Sequence, residues 1–203
     1  VTYDPAYAYE VAVIVQDGLR RMYQDGESIF YYLTLYNESY AMPPMPANIA
    51  EGILKGMYKL RSVEAQHKKI EARPQIFGSG TILREALRAQ DILANEFGIS
   101  TDVWSVTSYK ELRRDALACE RWNRLHPEEQ TRESFIDTQL KNVPGPFVAV
   151  SDYMRLVPEQ VTRWIPGGLV TLGTDGFGRS ESRQALCRHF EIDAEHVAYA
   201  TLE

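Results

Sequence analysis

The sequence is poor in the residues that most often build a metal or redox centre. Its two cysteines, Cys119 and Cys187, lie far apart and form no CxxC pair. Its four histidines lack metal-ligand spacing, because no two of them lie within five residues of each other. We therefore interpret both cysteines as buried or idle thiols, which a reducing compartment favours, and His126 and His189 as helix-end residues rather than catalytic bases.

An excess of basic charge and long apolar runs are missing as well. The chain of 203 residues carries 22 Lys and Arg against 28 Asp and Glu, which gives a net charge of −6. This balance argues against nucleic acid or an anionic membrane surface as a partner. The apolar run at residues 11–15 is far shorter than the ~20 residues of a membrane-spanning helix. We expect a cytoplasmic protein that binds neither nucleic acid nor membrane.

The two ends of the sequence indicate a part of a longer chain. The sequence begins at Val1 without an initiator Met, so the missing leader proves nothing. It stops at an apolar run, residues 196–202, which predicts a strand with no element after it. We therefore expect the natural protein to continue beyond both ends.

Alternating apolar strands and amphipathic helices predict an α/β fold. Asp4 and Pro5 predict the N-cap and first turn of a helix that ends at Asp25 and Gly26, and residues 29–35 predict a strand covered on both faces. Three prolines within residues 43–46 predict a domain junction. Beyond it we predict strands at 57–63, 75–77, 103–106, 147–150, 169–172 and 197–202, helices at 83–97, 110–125, 159–164 and 180–190, and a polar loop or hairpin at 67–73. This order favours a mainly parallel sheet with helices on both faces.

Two glycine-rich segments are candidates for chemistry. The segment 78–80 (Gly-Ser-Gly) follows a strand, but the third glycine and the acidic residue of a dinucleotide site are missing, so a tight turn is favoured. The segment 173–180 runs into a predicted helix that Ser180 would cap, where anions are welcome. A structural turn and a small anion or interface site both remain open for it. Its candidate residues are Asp175, Gly176, Gly178, Arg179 and Ser180.

Eight segments, taken together and in order, resemble a known family. They are residues 3–10, 37–43, 51–60, 78–84, 106–108, 119–123, 151–154 and 172–180. The sequence resembles the carboxy-terminal part of the thiamine-dependent, pyruvate-decarboxylating subunit of the pyruvate dehydrogenase complex, in its homodimeric bacterial form. The resemblance implies that residues 1–42 close a pyrimidine-binding domain, that 43–50 form the junction, and that 51–203 form a transketolase-type C-terminal domain. That domain would be a three-layer α/β/α sandwich with one antiparallel strand, truncated at its end.

The resemblance also implies an activity for the parent enzyme. Such an enzyme uses thiamine diphosphate and Mg²⁺ to decarboxylate pyruvate, and then acetylates a lipoyl group of the dihydrolipoyl acetyltransferase. The family binds diphosphate and Mg²⁺ through a Gly-Asp-Gly motif and a later Asn. Here the Asp-Gly pairs at 17–18, 25–26 and 175–176 follow Gln, Gln and Thr. The glutamate that activates the cofactor would lie before Val1. No catalytic, cofactor or metal residue therefore transfers to this chain, which we expect to be structural and inactive alone.

Two positions depart from what the resemblance leads us to expect. Sugar-phosphate transketolases carry Trp-Arg-Pro-x-Asp-x-x-Glu here, and their Arg helps to clamp the substrate phosphate. In this chain Asp4 precedes Pro5, while Glu10 is retained. A cation has become an anion, so we expect the parent enzyme to reject phosphorylated sugars. Ala41 stands where a bulkier polar residue such as His is expected, which leaves the contacts of that loop in doubt.

Two other hypotheses remain. One is a free-standing, non-catalytic module that binds an anion or nucleotide at residues 173–180. The other is a piece of a sugar-phosphate transketolase. The intact mass of the native protein separates the first of these from the enzyme fragment, because a fragment continues upstream into a thiamine-binding region.

Overall fold

A computed structural model describes residues 1–67 and 70–203, so part of the predicted loop at 67–73 lies outside the described residues. The strands are β1 (Thr2–Tyr3), β2 (Tyr32–Leu33), β3 (Tyr58–Val63), β4 (Gln75–Gly78), β5 (Thr101–Ser105), β6 (Phe147–Val150) and β7 (Val170–Leu172). The helices are α1 (Ala8–Leu19), α2 (Ala50–Lys55), α3 (Leu83–Ile92), α4 (Tyr109–Leu125), α5 (Phe135–Leu140), α6 (Leu156–Glu159), α7 (Arg183–His189) and α8 (Ala194–Leu202). None of the helices in these two ranges has the length and apolar character that a membrane crossing requires.

Five strands form the main sheet in the order β3-β5-β4-β6-β7. The pairs β5-β4, β4-β6 and β6-β7 are parallel, and β3 runs antiparallel to β5. The predicted sheet with one antiparallel strand is therefore confirmed. Asp102 on β5 anchors the edge strand, because its carboxylate accepts from Lys59 Nζ at 2.7 Å and from Arg73 Nε at 2.8 Å.

Helices cover both faces of this sheet, as the three-layer prediction requires. Successive residues of a strand point to opposite faces, and Ile76 and Phe77 accordingly belong to different cores. The core that holds Ile76 contains side chains of α3, α7 and α8. The core that holds Phe77 contains side chains of α4 and α5, together with Val161 and Ile165. The sheet is thus the central layer between two helical layers.

The amino-terminal part adds a small two-stranded sheet and a third core. Strands β1 and β2 pair in parallel over two residues each. The predicted strand at 29–35, covered on both faces, is wrong for most of its length, since Phe30 is 76 % exposed and Leu35 is 67 % exposed. The short β1 limits how far β2 can pair. Residues 34–46 contain neither helix nor strand, and the junction at 43–50 stays a prediction.

The last segment is a helix, so the predicted strand at 197–202 is wrong. Asp193 caps α8, with its carboxylate accepting from His196 N at 3.1 Å. Val197, Ala198 and Thr201 are buried at helical spacing. They lie on the face of α8 that packs against α3. A short apolar run fits a strand and a buried helix equally well, and here the acidic cap decides for the helix.

Candidate functional site

The residues before α1 lie across the carboxyl ends of β4 and β5. Asp4 N donates to Thr107 O at 2.7 Å, and Gly80 N donates to Asp4 O at 3.1 Å. The carboxyl ends of parallel strands are where α/β proteins most often bind ligands. These contacts, with that of Glu10 to Ser105, place two acidic residues of the first segment, Asp4 and Glu10, at the carboxyl edge of the sheet.

Glu10 is a fully buried carboxylate that holds three elements together. Its Oε2 accepts from Ala6 N at 2.5 Å and from Tyr7 N at 3.0 Å. Its Oε1 accepts from Tyr58 on β3 at 2.7 Å and from Ser105 on β5 at 2.6 Å. Burial raises the pKa of this carboxyl, and the four hydrogen bonds offset that only in part. Because all its acceptor positions are in use, we assign Glu10 a structural role.

Asp4 does not cap the helix, contrary to the sequence prediction. The helix begins after Tyr7, and Asp4 turns instead toward the segment that follows β2. Its Oδ1 accepts from Thr34 Oγ1 at 2.5 Å and from Tyr36 OH at 2.7 Å. Pro5 and the backbone bonds of Asp4 hold this stretch against the loops of the sheet, four residues ahead of the helix. The Asp4 carboxylate therefore faces the interior of the protein and does not cap the helix.

The second oxygen of Asp4 is buried and has no hydrogen-bond partner among the described residues. Burial raises the pKa of the Asp4 carboxyl, and the hydroxyls of Thr34, Tyr36 and Ser79 counteract this incompletely. Ser79 thus lies close to the Asp4 carboxylate, although no hydrogen bond of ordinary geometry joins its Oγ to any of the described residues. Asp4, Ser79 and Tyr109 all line one cavity of about 300 Å³. Sequence reasoning missed Ser79 and Tyr109, although both follow strands of the sheet at its carboxyl edge.

The Gly-Ser-Gly segment is a tight turn, as favoured from the sequence. Gly80 has φ of +52°, and a Cβ there would lie 2.6 Å from the ring of Tyr36. Glycine is therefore required both by the backbone conformation and by the approach of Tyr36. That approach brings the Tyr36 hydroxyl to Asp4.

The loop at 173–180 is exposed and is organised by one ion pair. The Asp175 carboxylate pairs with Arg155 Nε and accepts from Arg155 N at 3.2 Å. The hydrogen bond from Arg155 lowers the pKa of Asp175. Gly176 has φ of +96°, whereas Gly178 has open space around it. The tight turn therefore requires glycine at position 176, whereas nothing in the structure requires glycine at position 178.

The helix after this loop is capped by Ser182, so the predicted cap at Ser180 is wrong. Ser182 Oγ accepts from Ala185 N at 3.4 Å, whereas Ser180 and Arg179 are exposed in the loop. A depression of about 290 Å³ beside the loop is lined by Asp175 and Glu191. The basic side chains of Arg155 and His189 line it as well, and Arg155 is already paired with Asp175. The anion or interface role of the loop residues stays a prediction.

The cysteines and histidines lie apart in the structure. Cys187 is buried and Cys119 is partly buried, and both are free thiols. His126 caps the end of α4 and stacks on Trp122, and His189 ends α7. Within the described ranges, no group of three or more His, Cys, Asp or Glu side chains is arranged to hold a metal ion.

The Asp-Gly pairs do not fit a site for Mg²⁺ and diphosphate. Asp17 accepts from Arg20 and Tyr31 within the helical region, Asp25 pairs with Arg20, and Asp175 pairs with Arg155. Arg20 thus pairs with both Asp17 and Asp25, and Arg155 pairs with Asp175. No catalytic step is assigned to these residues.

Comparison with known proteins identifies the class of this fold. The sequence profile described as the transketolase-like TK C-terminal domain matches residues 56–193, and that of the pyruvate dehydrogenase E1 component middle domain matches residues 1–43. The chain therefore belongs to the transketolase-like C-terminal domain family. The resemblance to the carboxy-terminal part of the pyruvate dehydrogenase subunit is confirmed by the relatives described next.

The chain is 51 % identical to the pyruvate dehydrogenase E1 component of Pseudomonas aeruginosa over 203 residues, which are 100 % of this chain and 23 % of the relative. It is 50 % identical to that of Escherichia coli K12 over 204 residues, 100 % of this chain and 22 % of the relative. The chain thus spans less than a quarter of the relatives that it matches.

Solved transketolases share the fold at low sequence identity. The Pichia stipitis enzyme in complex with sedoheptulose-7-phosphate aligns with a TM-score of 0.62 at 19 % identity, covering 99 % of this chain and 24 % of that one. The Leishmania mexicana transketolase aligns with a TM-score of 0.61 at 18 % identity, covering 99 % of this chain and 24 % of that one.

Proposed function

We propose that this chain is the carboxy-terminal part of a pyruvate dehydrogenase E1 subunit. The observation that supports this most is the alignment of the whole chain, at 51 % and 50 % identity, with two proteins of that name. The parent enzyme would use thiamine diphosphate and Mg²⁺ to decarboxylate pyruvate oxidatively, and would transfer the acetyl group to the lipoyl domain of a dihydrolipoyl acetyltransferase. Within it, this part would serve as a structural, dimer-forming and docking domain.

The test of this proposal compares residues 1–203 with the full-length protein. Calorimetry should show Mg²⁺-dependent binding of thiamine diphosphate to the full-length protein and none to residues 1–203, since the three Asp-Gly carboxylates are engaged by arginines. Only the full-length protein should decarboxylate pyruvate. Micromolar cofactor binding by residues 1–203 would contradict the proposal, as would a native protein whose intact mass matches this segment alone.

The homodimer that we propose would cover apolar side chains of the first segment. Val15, Leu19 and Tyr23 are 42 %, 53 % and 82 % exposed along α1 and the π-helical residues 20–24 that continue it. Exposed apolar surface of this kind is typical of protein contacts. Sedimentation of the full-length protein should give twice the chain mass, and Leu19→Asp should shift it toward the monomer. A Leu19→Asp protein that still sediments as a dimer would show that α1 is not part of the interface.

The domain boundary at 43–50 is also a proposal. Residues 41–45 are exposed, and the segment 34–46 has no regular structure, so few backbone hydrogen bonds protect it. Limited proteolysis should cut first at 41–46. First cuts within α3 would contradict a domain boundary at 43–50.

We further propose that the parent enzyme rejects phosphorylated sugars, with Asp4 as one determinant. Two like unit charges about 5 Å apart at an effective dielectric near 20 repel by roughly 3 kcal/mol. Full-length wild type should turn over pyruvate and fail with a ketose phosphate, and Asp4→Arg should weaken that discrimination. Efficient wild-type turnover of the ketose phosphate would contradict the proposal.

A further inference from the structure

Helix α4 carries a row of basic side chains on one side. Four of its exposed residues are basic and share that side: Lys110, Arg113, Arg121 and Arg124. At about 100° of rotation per residue, the four fall within an arc of about 80° around the helix axis. At about 1.5 Å of rise per residue, they extend along about 21 Å of the helix. These four residues are called the cationic face below.

The acidic residues of α4 lie off the cationic face and contact other parts of the protein. Glu111 is 6 % exposed and pairs with Arg114. Asp115 accepts from the first backbone N–H of α5 at 2.7 Å, and Glu120 accepts from Trp164 Nε1 at 2.8 Å. Among the described residues, by contrast, no ion pair involves a member of the cationic face. The helix therefore uses its acidic side chains inside the protein and leaves four basic ones uncompensated.

The charge of the cationic face opposes both the helix and the rest of the chain. Arg121 lies three residues before Arg124, and residues at that spacing are neighbours on a helix surface. Lys110 has the same spacing to Arg113, and its one hydrogen bond goes to Thr2 Oγ1 at 3.3 Å. Neighbouring like charges repel, whereas the chain as a whole has a net charge of −6. A partner of negative charge would relieve this local repulsion.

The sign and the length of the face define that partner. A nucleic acid or an anionic membrane extends well beyond about 21 Å and would also meet the acidic remainder of the chain. A second copy bound through the same face about a two-fold axis would place cations against cations. A short acidic segment of another protein matches the face in both sign and length.

We propose that the cationic face of α4 binds an acidic segment of a partner protein, with Arg113, Arg121 and Arg124 each holding a carboxylate. The planar guanidinium group of arginine matches a carboxylate with two parallel hydrogen bonds. Leu117, partly exposed and near the middle of the arc, offers contact to an apolar residue among the acidic ones. The proposal names the surface and the partner chemistry for the docking role proposed above, and it rests on that role.

The test uses the full-length protein and a labelled peptide of about 14 residues, glutamates with one central leucine, which as a helix is as long as the face. Fluorescence anisotropy at low ionic strength should give a Kd of about 0.1 mM or below. Raising the salt concentration to about 0.5 M should weaken binding at least about tenfold, because salt screens exposed charges. The same peptide with glutamine in place of glutamate should not bind. No binding of the acidic peptide up to about 1 mM would overturn the proposal, as would equally tight binding of single-stranded DNA or of anionic phospholipid vesicles.

Charge reversal at matched positions separates the face from the overall charge. The double variant Arg121→Glu/Arg124→Glu should weaken peptide binding at least about tenfold, and Arg121→Gln/Arg124→Gln should weaken it less. The control Arg88→Glu/Arg179→Glu makes the same change in net charge at exposed arginines outside the face and should change the Kd by less than about twofold. Equal losses in the two charge-reversed proteins would overturn the proposal.

Pyruvate decarboxylation by the same proteins is measured separately from peptide binding. A full-length protein that decarboxylates pyruvate but does not bind the peptide would overturn the docking surface alone. A full-length protein without this activity would overturn the proposed function, whatever the result with the peptide.

Discussion

Replacing Glu10 by alanine should weaken the attachment of the amino-terminal segment to the sheet. The deletion leaves four buried donors without their acceptor: Ala6 N, Tyr7 N, Tyr58 OH and Ser105 Oγ. Tyr58 keeps a hydrogen bond to Tyr9 OH at 2.7 Å, and the serine hydroxyl can rotate. The two backbone N–H groups cannot turn away. At about 1–3 kcal/mol for each buried donor left unpaired, the expected loss is about 3 kcal/mol.

Hydrogen exchange on the full-length protein measures this loss locally. Peptides covering residues 1–12 and β3 should exchange on the order of 100-fold faster in Glu10→Ala, because about 1.4 kcal/mol corresponds to a factor of ten. Glu10→Gln should show a smaller change, since it retains acceptors. Adding Ser105→Ala to Glu10→Ala should cost less than the two single changes together, because the second change removes a donor that the first left unpaired. Wild-type exchange rates in Glu10→Ala would refute the role of this carboxylate.

Three further predictions concern stability, each measured by urea unfolding followed by tryptophan fluorescence. Burial opposes ionisation of Asp102, but hydrogen bonds from its cationic partners prevail and hold its pKa below the ordinary value of 3.8. Asp102→Asn should therefore lower the free energy of unfolding by about 2–4 kcal/mol at pH 7. That difference should fade as the pH falls below 3.8, because a depressed pKa stabilises only while the group is ionised; a pH-independent difference would exclude the charge as its cause. Ser182→Ala should cost about 0.5–1 kcal/mol and Ser180→Ala nothing measurable, so an equal loss would mean that the cap is misassigned. Gly176→Ala should cost about 1 kcal/mol because of its positive φ, with Gly178→Ala as the unstrained control.

The sequence predicts the layered sheet well because apolar periodicity and burial agree there. β6 was predicted at its observed bounds, and Gly98, with φ of +68°, directly follows the helical region predicted at 83–97. Helix α5 was missed, although Ser134 and Asp137 form the cap that marks its start. The segment is short and lies among polar residues, so periodicity alone gives no signal. The acidic cap Asp193 was overlooked in the same way.

The candidate site was less predictable, because it depends on contacts between distant segments. The Asp-Pro pattern predicts that Asp4 caps a helix. Only the fold shows that its carboxylate instead accepts hydrogen bonds from Thr34 and Tyr36. Ser79 and Tyr109 carry no motif. They become neighbours because two parallel strands end side by side and the first segment lies across them.

The hydrogen bonds of Glu10 imply that the proline-rich linker is not a hinge. Glu10 accepts hydrogen bonds from Tyr58 of β3 and Ser105 of β5, and the turn after β4 donates to the Asp4 carbonyl. Apolar residues on both sides of the linker also share one core: Tyr3, Ile14, Ile53 and Tyr58. The two sides are thus joined by packing as well as by the covalent chain. A protein cleaved at residues 41–46 should behave as a reconstituted pair: the two pieces should co-elute in native buffer and separate only in denaturant.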